Sequence, residues 1–164
     1  MDYVIRDVCE SDLDAVLRLN QSELPHVGGV DLEQLQWFAA NAAYFRIATN
    51  ADGIGAYLIG MRPGTSYGSP NYRWFCERYD DFAYVDRVAV TASARRRGLA
   101  SRLYEDFADS VPETVGVMTC EVNIRPSNES SMRFHRRMGF EQVGSLASDG
   151  GNKEVALLVK QLRP

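Results

Sequence analysis

Apolar residues recur along the chain in two different patterns. Apolar, β-type runs bounded by turn residues predict strands over seven stretches, at 3–6, 45–49, 54–61, 82–90, 115–122, 140–146 and 154–162. Between them, apolar residues spaced by three and four predict helices near 11–24, 31–39, 98–110 and 128–138. The resulting order is β-α-α-β-β-β-α-β-α-β-β, which predicts an α/β (α+β) fold.

Capping residues give the boundaries of the first two helices. Ser11 with Asp14 three residues later predicts an N-cap, and Asp31 with Gln34 predicts a second one. Asn20 interrupts the apolar face of the first helix, which otherwise includes Leu24. A loop containing Pro25 and two glycines is therefore expected between these helices.

Length and charge narrow the classes of protein. The 164 residues suit one domain over 1–164, and the formal net charge of −4 argues against a general nucleic-acid binder. Three scattered cysteines predict reduced thiols and a cytoplasmic protein, and no apolar run reaches membrane length. Two histidines with those cysteines make no credible metal site, so no metal is expected.

Two nucleotide-binding motifs are absent from the sequence. Gly53 and Gly55 begin a G-x-G pattern, but Leu58 stands where a dinucleotide-binding motif needs its third glycine. No G-x-x-x-x-G-K-[ST] occurs either, which excludes a P-loop nucleotide triphosphatase.

A polar turn follows the strand predicted at 82–90 and opens an amphipathic helix. Its sequence is Arg95-Arg96-Arg97-Gly98-Leu99-Ala100-Ser101. The first N–H groups of a helix lack intrahelical partners and carry partial positive charge, so they can hold a phosphate. Glycine lets the backbone approach closely, and the arginines add a local positive field. This junction is expected to bind a polyanion.

The same turn fits the pattern R/Q-x-x-G-x-G/A, and two neighbouring segments agree with it. The strand Tyr84-Val-Asp-Arg-Val-Ala-Val90 precedes it, and Asn128-Glu-Ser-Ser-Met-Arg-Phe-His-Arg-Arg-Met-Gly139-Phe140 follows a further strand. In order and spacing these segments resemble the GNAT superfamily of acetyl-CoA-dependent N-acetyltransferases. The resemblance implies a mixed, mostly antiparallel sheet of about seven strands with helices on both faces.

The resemblance also implies which residues bind acetyl-CoA. These are the strand residues Val88, Ala89 and Val90, the turn residues Arg95, Arg96, Arg97, Gly98, Leu99, Ala100 and Ser101, and the helix residues Asn128, Ser131 and His135. His135 stands where many family members carry a tyrosine. It could protonate the departing thiolate or only hydrogen-bond along the cofactor channel, and both interpretations stay open.

Two carboxylates are candidates for the base that accepts the proton of the amine. They are Asp86 on the fourth strand and Glu121 at the end of the fifth. A carboxylate is a poor direct base for an ammonium, so a bridging water is expected. Asp86 could equally pair with Arg87 or Arg97.

The acceptor amine has two candidate regions. By resemblance the loop after the first helix borders the acceptor, which makes Glu23 and His26 candidates, although a plain surface loop is an equal alternative. The segment 62–81 carries Tyr72, Trp74, Glu77, Asp80 and Asp81. These side chains could form a cage for a cationic amine or a satellite core under a long loop.

The sequence thus predicts transfer of an acetyl group from acetyl-CoA to a primary amine by direct attack in a ternary complex. A non-catalytic acyl-CoA-binding module is the alternative. The acceptor is a small molecule or a peptide, no nucleic acid or membrane partner is expected, and a homodimer is left open.

Overall fold

Seven strands and five helices make up the computed structural model, which describes residues 2–163. The strands are β1 (Val4–Asp7), β2 (Tyr44–Asn50), β3 (Gly53–Met61), β4 (Ala83–Val90), β5 (Val117–Arg125), β6 (Glu141–Ser148) and β7 (Lys153–Gln161). The helices are α1 (Leu13–Ser22), α2 (Leu32–Asn41), α3 (Pro70–Cys76), α4 (Leu99–Ser110) and α5 (Glu129–Arg137). The strands form one mixed sheet in the order β1-β2-β3-β4-β5-β7-β6, which confirms the expected class.

The chain divides into two compact units, and β4 contributes residues to both. The first unit contains the described residues up to Met61 together with Arg87–Ser110. In it, β1, β2 and β3 pair antiparallel, with Ile5 opposite Ala48 and Ile47 opposite Tyr57. The apolar faces of α1, α2 and α4 supply buried side chains such as Val16, Leu35 and Phe107.

The second unit contains Arg62–Asp86 and the chain from Val111 onwards. The start of β4 pairs parallel with β5, with Ala83 opposite Met118 and Tyr84 opposite Thr119. β5 then pairs antiparallel with β7, and β7 with β6. These pairings confirm the mixed, mostly antiparallel sheet.

Two predictions about the first helix are wrong. A 3₁₀ turn, Glu10–Asp12, precedes α1, and Ser11 lies inside that turn instead of capping the helix. The Asp12 carboxylate accepts a hydrogen bond from the backbone N–H of Cys9 at 2.7 Å. The side chain of Asp12, and not that of Ser11, therefore binds a backbone N–H at the start of this turn. α1 also ends at Ser22, which leaves Leu24 outside the helical face and 43% exposed.

The other boundary signals are confirmed. Gln34 N donates to the Asp31 carboxylate at 2.8 Å, and Asp31 N donates to the Gln34 side chain at 2.9 Å, which makes a capping box. Asn128 caps α5, where its side chain accepts from Ser131 N at 3.3 Å. Gly139 follows that helix with a φ of +96°, the left-handed conformation expected of a terminating glycine.

The segment 62–81 contains a helix that sequence analysis did not predict. α3 has seven residues, too few for a periodic pattern, but Ser69 caps it and Pro70 occupies its first turn. The Ser69 side chain accepts from Tyr72 N at 3.4 Å. The Ser69-Pro70 pair was therefore the sequence signal from which the start of this helix could have been predicted.

No helix among residues 2–163 is long and apolar enough to cross a bilayer. The assignment of a single domain to 1–164 stays a prediction, and its two terminal residues lie outside the described part of the chain.

Candidate active site

The turn between β4 and α4 has the backbone expected of an anion-binding loop. Arg96 and Gly98 have φ values of +66° and +72°. Few non-glycine residues adopt this left-handed conformation, so its occurrence at Arg96 marks a backbone held in an unusual shape. Residues 95–98 are exposed, and a Cβ added to Gly98 would meet nothing within 4 Å. A diphosphate can therefore approach the first turn of α4 directly, and the loop fits the phosphates of acetyl-CoA.

The predicted thioester-binding residues lie at the end of β4. The parallel register with β5 covers Ala83 and Tyr84, and residues 88–90 follow that paired segment. Ala89 is 5% exposed, while Val88 and Val90 are half-buried. Of the three, Ala89 belongs to the buried core, and the assignment of residues 88–90 to acetyl-CoA through their main-chain groups stays a prediction.

Arg95, in the turn between β4 and α4, contacts the loop between α1 and α2. Arg95 Nη2 lies 2.7 Å from Glu23 Oε1 in an ion pair. A residue predicted to bind the cofactor and one predicted to bind the acceptor are thus in direct contact. His26 lies further along the same loop and is exposed.

The two candidate bases each accept a hydrogen bond from a tyrosine. The hydroxyl of Tyr84 donates to both oxygens of Glu121, at 2.9 and 2.8 Å, and the hydroxyl of Tyr67 donates to Asp86. Burial, together with the negative charges of Glu121 and Asp86, raises the pKa of Tyr84 well above its usual value. The hydroxyl therefore stays protonated, and both carboxylates lie around one buried tyrosine.

His135 is buried in α5 and bound to its own helix. Its Nδ1 lies 2.7 Å from the carbonyl oxygen of Ser131 and 3.4 Å from the Ser131 hydroxyl. The ring packs edge-on against Phe134 and Phe140, with centroid distances of 5.1 and 5.3 Å. Burial lowers the pKa of His135 below its ordinary 6.5, so the ring is mostly neutral at pH 7.

These contacts bear on the two interpretations of His135. A neutral ring that donates to a backbone carbonyl suits a hydrogen-bonding role better than that of an acid. Asn128 and Ser131 are also engaged within α5, one as its cap and the other beside the histidine. The assignment of all three to the cofactor stays a prediction.

The aromatic residues of the segment 62–81 pack mainly against their own surroundings. Tyr72 is 2% exposed and donates its hydroxyl hydrogen to the Arg62 carbonyl at 2.7 Å. Trp74 lies under the guanidinium of Arg78, 3.9 Å from the ring centroid. The satellite core therefore describes Tyr72 well.

The acids of that segment differ from one another. Asp81 forms an ion pair with Arg62 at 2.8 Å, whereas Glu77 and Asp80 are exposed. An acceptor role for these residues stays a prediction, and Glu77 and Asp80 are the two that solvent reaches readily.

Sequence analysis did not assign a role to Tyr84 or Arg87 of β4. Tyr84 and Arg87 lie in an apolar strand, where aromatic and long side chains are ordinary. A polar side chain in an apolar strand indicates that a hydrogen-bond partner exists, but the sequence does not show which residue that partner is. Among residues 2–163, no three His, Cys, Asp or Glu side chains are grouped so as to hold a metal ion.

A mixed sheet with an arginine–glycine turn from β4 into α4 is the arrangement expected of an acyl-CoA-dependent transferase. The model of the acetyltransferase (GNAT) family matches residues 13–140, and the chain belongs to this family. It is an acetyl-CoA-dependent N-acetyltransferase, which transfers an acetyl group to an amine.

Individual relatives agree with this membership. An N-alpha-acetyltransferase from Sulfurisphaera tokodaii is 22% identical over 160 residues, covering 96% of this chain and 92% of the relative. The crystal structure of Ard1 from Thermoplasma volcanium matches with a TM-score of 0.78 and 17% identity, covering 100% of both chains. The ribosomal-protein-S18-alanine N-acetyltransferase from Escherichia coli matches with a TM-score of 0.72 and 16% identity, covering 99% of this chain and 95% of the other. At these identities the two structures are similar in fold.

Proposed function

We propose that the acceptor is the α-amino group of a peptide or protein N-terminus. Relatives of this chain are an N-alpha-acetyltransferase and an enzyme that acetylates the alanine of a ribosomal protein. Structures similar in fold include Naa20 from Chaetomium thermophilum and NAA60 from Arabidopsis thaliana, each bound to a bisubstrate analogue, with TM-scores of 0.75 and 0.77. These names favour a peptide acceptor over a small polyamine.

The observation that carries the proposal is the pair of tyrosine-bound carboxylates, Asp86 and Glu121. Carboxylates attract a cationic amine but remove its proton poorly, because their basicity is far below that of an amine. A suitable acceptor therefore arrives partly unprotonated. A peptide α-amine, with a pKa of ~7.8, is roughly one-third neutral at pH 7.5, whereas a lysine side chain at ~10.4 is only ~0.1% neutral. The site suits the weaker base.

Acetyl-CoA, when bound, would supply the acetyl group as a thioester, and its departing thiolate would take a proton from water to leave as free CoA thiol. We assign its phosphates to the backbone N–H groups of residues 96–101 and its acyl arm to the main chain of 88–90. Glu121 holds the amine and takes up its proton through a water, while the Tyr84 hydroxyl keeps that carboxylate oriented. The attack is direct, within a ternary complex.

A peptide experiment tests the acceptor class. Peptides with a free N-terminus and no lysine are compared with N-terminally blocked peptides containing one lysine, and with a panel of small amines including polyamines. Release of free CoA thiol gives the rate, and fragmentation mass spectrometry locates the acetyl group. We expect kcat/KM for the free N-terminus to exceed that for blocked lysine peptides by at least about a hundredfold, following the free-amine fractions. Equal rates, or a faster small amine, would refute the α-amine assignment.

A reducing, cytoplasmic location is also part of the proposal. Cys9, Cys76 and Cys120 are all free thiols, and the first two are exposed. Exposed thiols persist where the cell keeps cysteines reduced. Cell fractionation tests the location, and sedimentation of the purified protein tests whether it forms a homodimer.

A further inference from the structure

One arginine of β4 contacts three parts of the helix–loop–helix that lies between β1 and β2. Arg87 Nη1 donates to the Asn20 side-chain oxygen of α1 at 3.2 Å and to the Gly28 carbonyl of the following loop at 3.0 Å. Its guanidinium also lies over the ring of Phe38 in α2, 5.6 Å from the centroid. Arg87 thus connects α1, the α1–α2 loop (residues 23–31) and α2.

Asn20 completes this connection from inside the unit. It is fully buried, its Nδ2 donates to the same Gly28 carbonyl at 3.0 Å, and its oxygen accepts from the Tyr57 hydroxyl of β3. A buried amide is stable only when its polar atoms are satisfied, so this side chain has a fixed orientation. The polar residue that interrupts the apolar face of α1 therefore holds the loop at Gly28.

The α1–α2 loop is held at its start, where Val27 N donates to the Glu23 carbonyl, and at its end, where Val30 is buried, whereas two glycines lie between. Gly28 and Gly29 are adjacent, both are exposed, and a Cβ added to either would meet nothing within 4 Å. Glycines without packing contacts have high conformational freedom, so ordering them costs entropy. Arg87 and Asn20 both donate to the Gly28 carbonyl, and these two hydrogen bonds restrict the conformations of the glycine pair.

Arg87 directly precedes residues 88–90, the segment assigned to the acyl arm of acetyl-CoA. We propose that Arg87 is a positioning residue, which, through Asn20 and the Gly28 carbonyl, holds the α1–α2 loop in the conformation that receives the acceptor. The inference rests on the proposed function and on the expectation, drawn from the family resemblance, that this loop borders the acceptor. It follows that loss of the arginine should raise the KM for the acceptor more than it changes the affinity for acetyl-CoA.

The test compares Arg87→Gln and Arg87→Lys with wild type and with Arg6→Gln as a matched control. Arg6 is another arginine of the same unit, and it makes two hydrogen bonds to Asp12, at 2.8 and 3.1 Å. Four quantities are measured: acceptor KM, kcat at saturating acceptor, acetyl-CoA affinity by calorimetry, and hydrogen exchange of the amides of 24–31. Urea unfolding of each variant checks that the fold is retained.

We expect Arg87→Gln to raise the acceptor KM about tenfold or more, as the loss of hydrogen bonds from a charged donor predicts. Exchange of the loop amides should accelerate by a similar factor, while kcat and acetyl-CoA affinity stay within about threefold of wild type. Arg87→Lys keeps the charge and one donor, so it should recover part of the KM, and Arg6→Gln should behave as wild type.

Three outcomes would overturn the inference. Unchanged loop exchange would mean that Arg87 does not hold the loop, and faster exchange with an unchanged acceptor KM would mean that the loop does not position the acceptor. Equal losses in kcat and in KM across both arginines would indicate general destabilisation. If wild type acetylates no peptide N-terminus, the proposed acceptor class fails by itself, and the same comparison is then made with the best amine of the panel.

Discussion

Replacing His135 by glutamine asks whether this histidine protonates the departing thiolate. Its Nδ1 faces the Ser131 carbonyl at 2.7 Å, and a carbonyl oxygen only accepts, so Nδ1 carries the hydrogen of the neutral ring. That assignment leaves Nε2 as an acceptor. For the ring to act as an acid it must first take a second proton, and burial opposes this.

The expected size of the effect follows from this geometry. Because the pKa of His135 lies below 6.5, less than about one-tenth of the rings are charged at pH 7.5. Removing a general acid lowers the rate by about 10²–10⁴, whereas losing a hydrogen-bonding side chain costs much less. We expect His135→Gln to keep kcat within about tenfold of wild type from pH 6.5 to 9, with an unchanged pH profile.

The same variant has a second, thermodynamic readout. A histidine whose folded pKa is depressed binds more protons when unfolded, so its contribution to stability is present above pH 6.5 and is lost as the pH falls below that value. Wild type should therefore lose up to ~1.4 kcal/mol more per pH unit than His135→Gln between pH 6.5 and the lower folded pKa. His26→Gln, at the only other histidine position, is the matched background, and the effect of His135→Gln on the slope should persist in it.

Steady-state kinetics over this pH range and urea unfolding at pH 5, 6 and 7 make both measurements. A fall in kcat of a hundredfold or more, restored by His135→Tyr but with acetyl-CoA affinity unchanged, would show that His135 is the acid. Identical pH slopes of stability in wild type and His135→Gln would refute the depressed pKa.

Five further substitutions, at four positions, test the rest of the site. Gly98→Val should weaken acetyl-CoA binding about tenfold or more in calorimetry, because φ is +72° at this position and the added side chain occupies the approach of the phosphates. Gly98→Asn should have a smaller effect, since asparagine tolerates this conformation. Equal affinities would contradict the assignment of the phosphates to this turn. Glu121→Gln should lower kcat/KM by about a hundredfold and Tyr84→Phe by about tenfold, and a larger loss for Tyr84→Phe would make the tyrosine the primary group. Glu23→Gln should tighten acetyl-CoA binding by no more than about fivefold, because it removes a carboxylate that competes with the diphosphate for Arg95; weaker binding would show that this exposed pair instead organises the loop.

The sheet could be predicted from the sequence because its signal is local. Continuous apolar runs in β3 and β7 reflect burial of those strands, and the seven predicted strands agree with the observed ones to within three residues at either end. α3 escaped prediction because seven residues give no more than two turns, and its buried Tyr72 and Phe75 suggested a loop-covered core equally well.

The turn between β4 and α4 was also predictable, because its arginine–glycine pattern lies within seven consecutive residues, and its role in binding phosphate stays a prediction. The hydrogen bonds around the carboxylates were not. Tyr84 and Glu121 are 37 residues apart, and Arg87 and Asn20 are 67 apart. Such contacts depend on strand register and helix placement, which no single periodicity encodes.

Asn20 shows how a break in a pattern carries information of its own. A polar residue on an apolar helical face costs stability unless its hydrogen bonds are made, so its presence predicts that partners exist without naming them. In the structure those partners include Tyr57, Gly28 and Arg87, which come from three different parts of the chain. An apolar residue there would preserve the face of α1 but leave the Tyr57 hydroxyl and the Gly28 carbonyl with one partner fewer each. The hydrogen bonds of Asn20 therefore offset the cost of interrupting the face, and they also fix the position of the loop at Gly28.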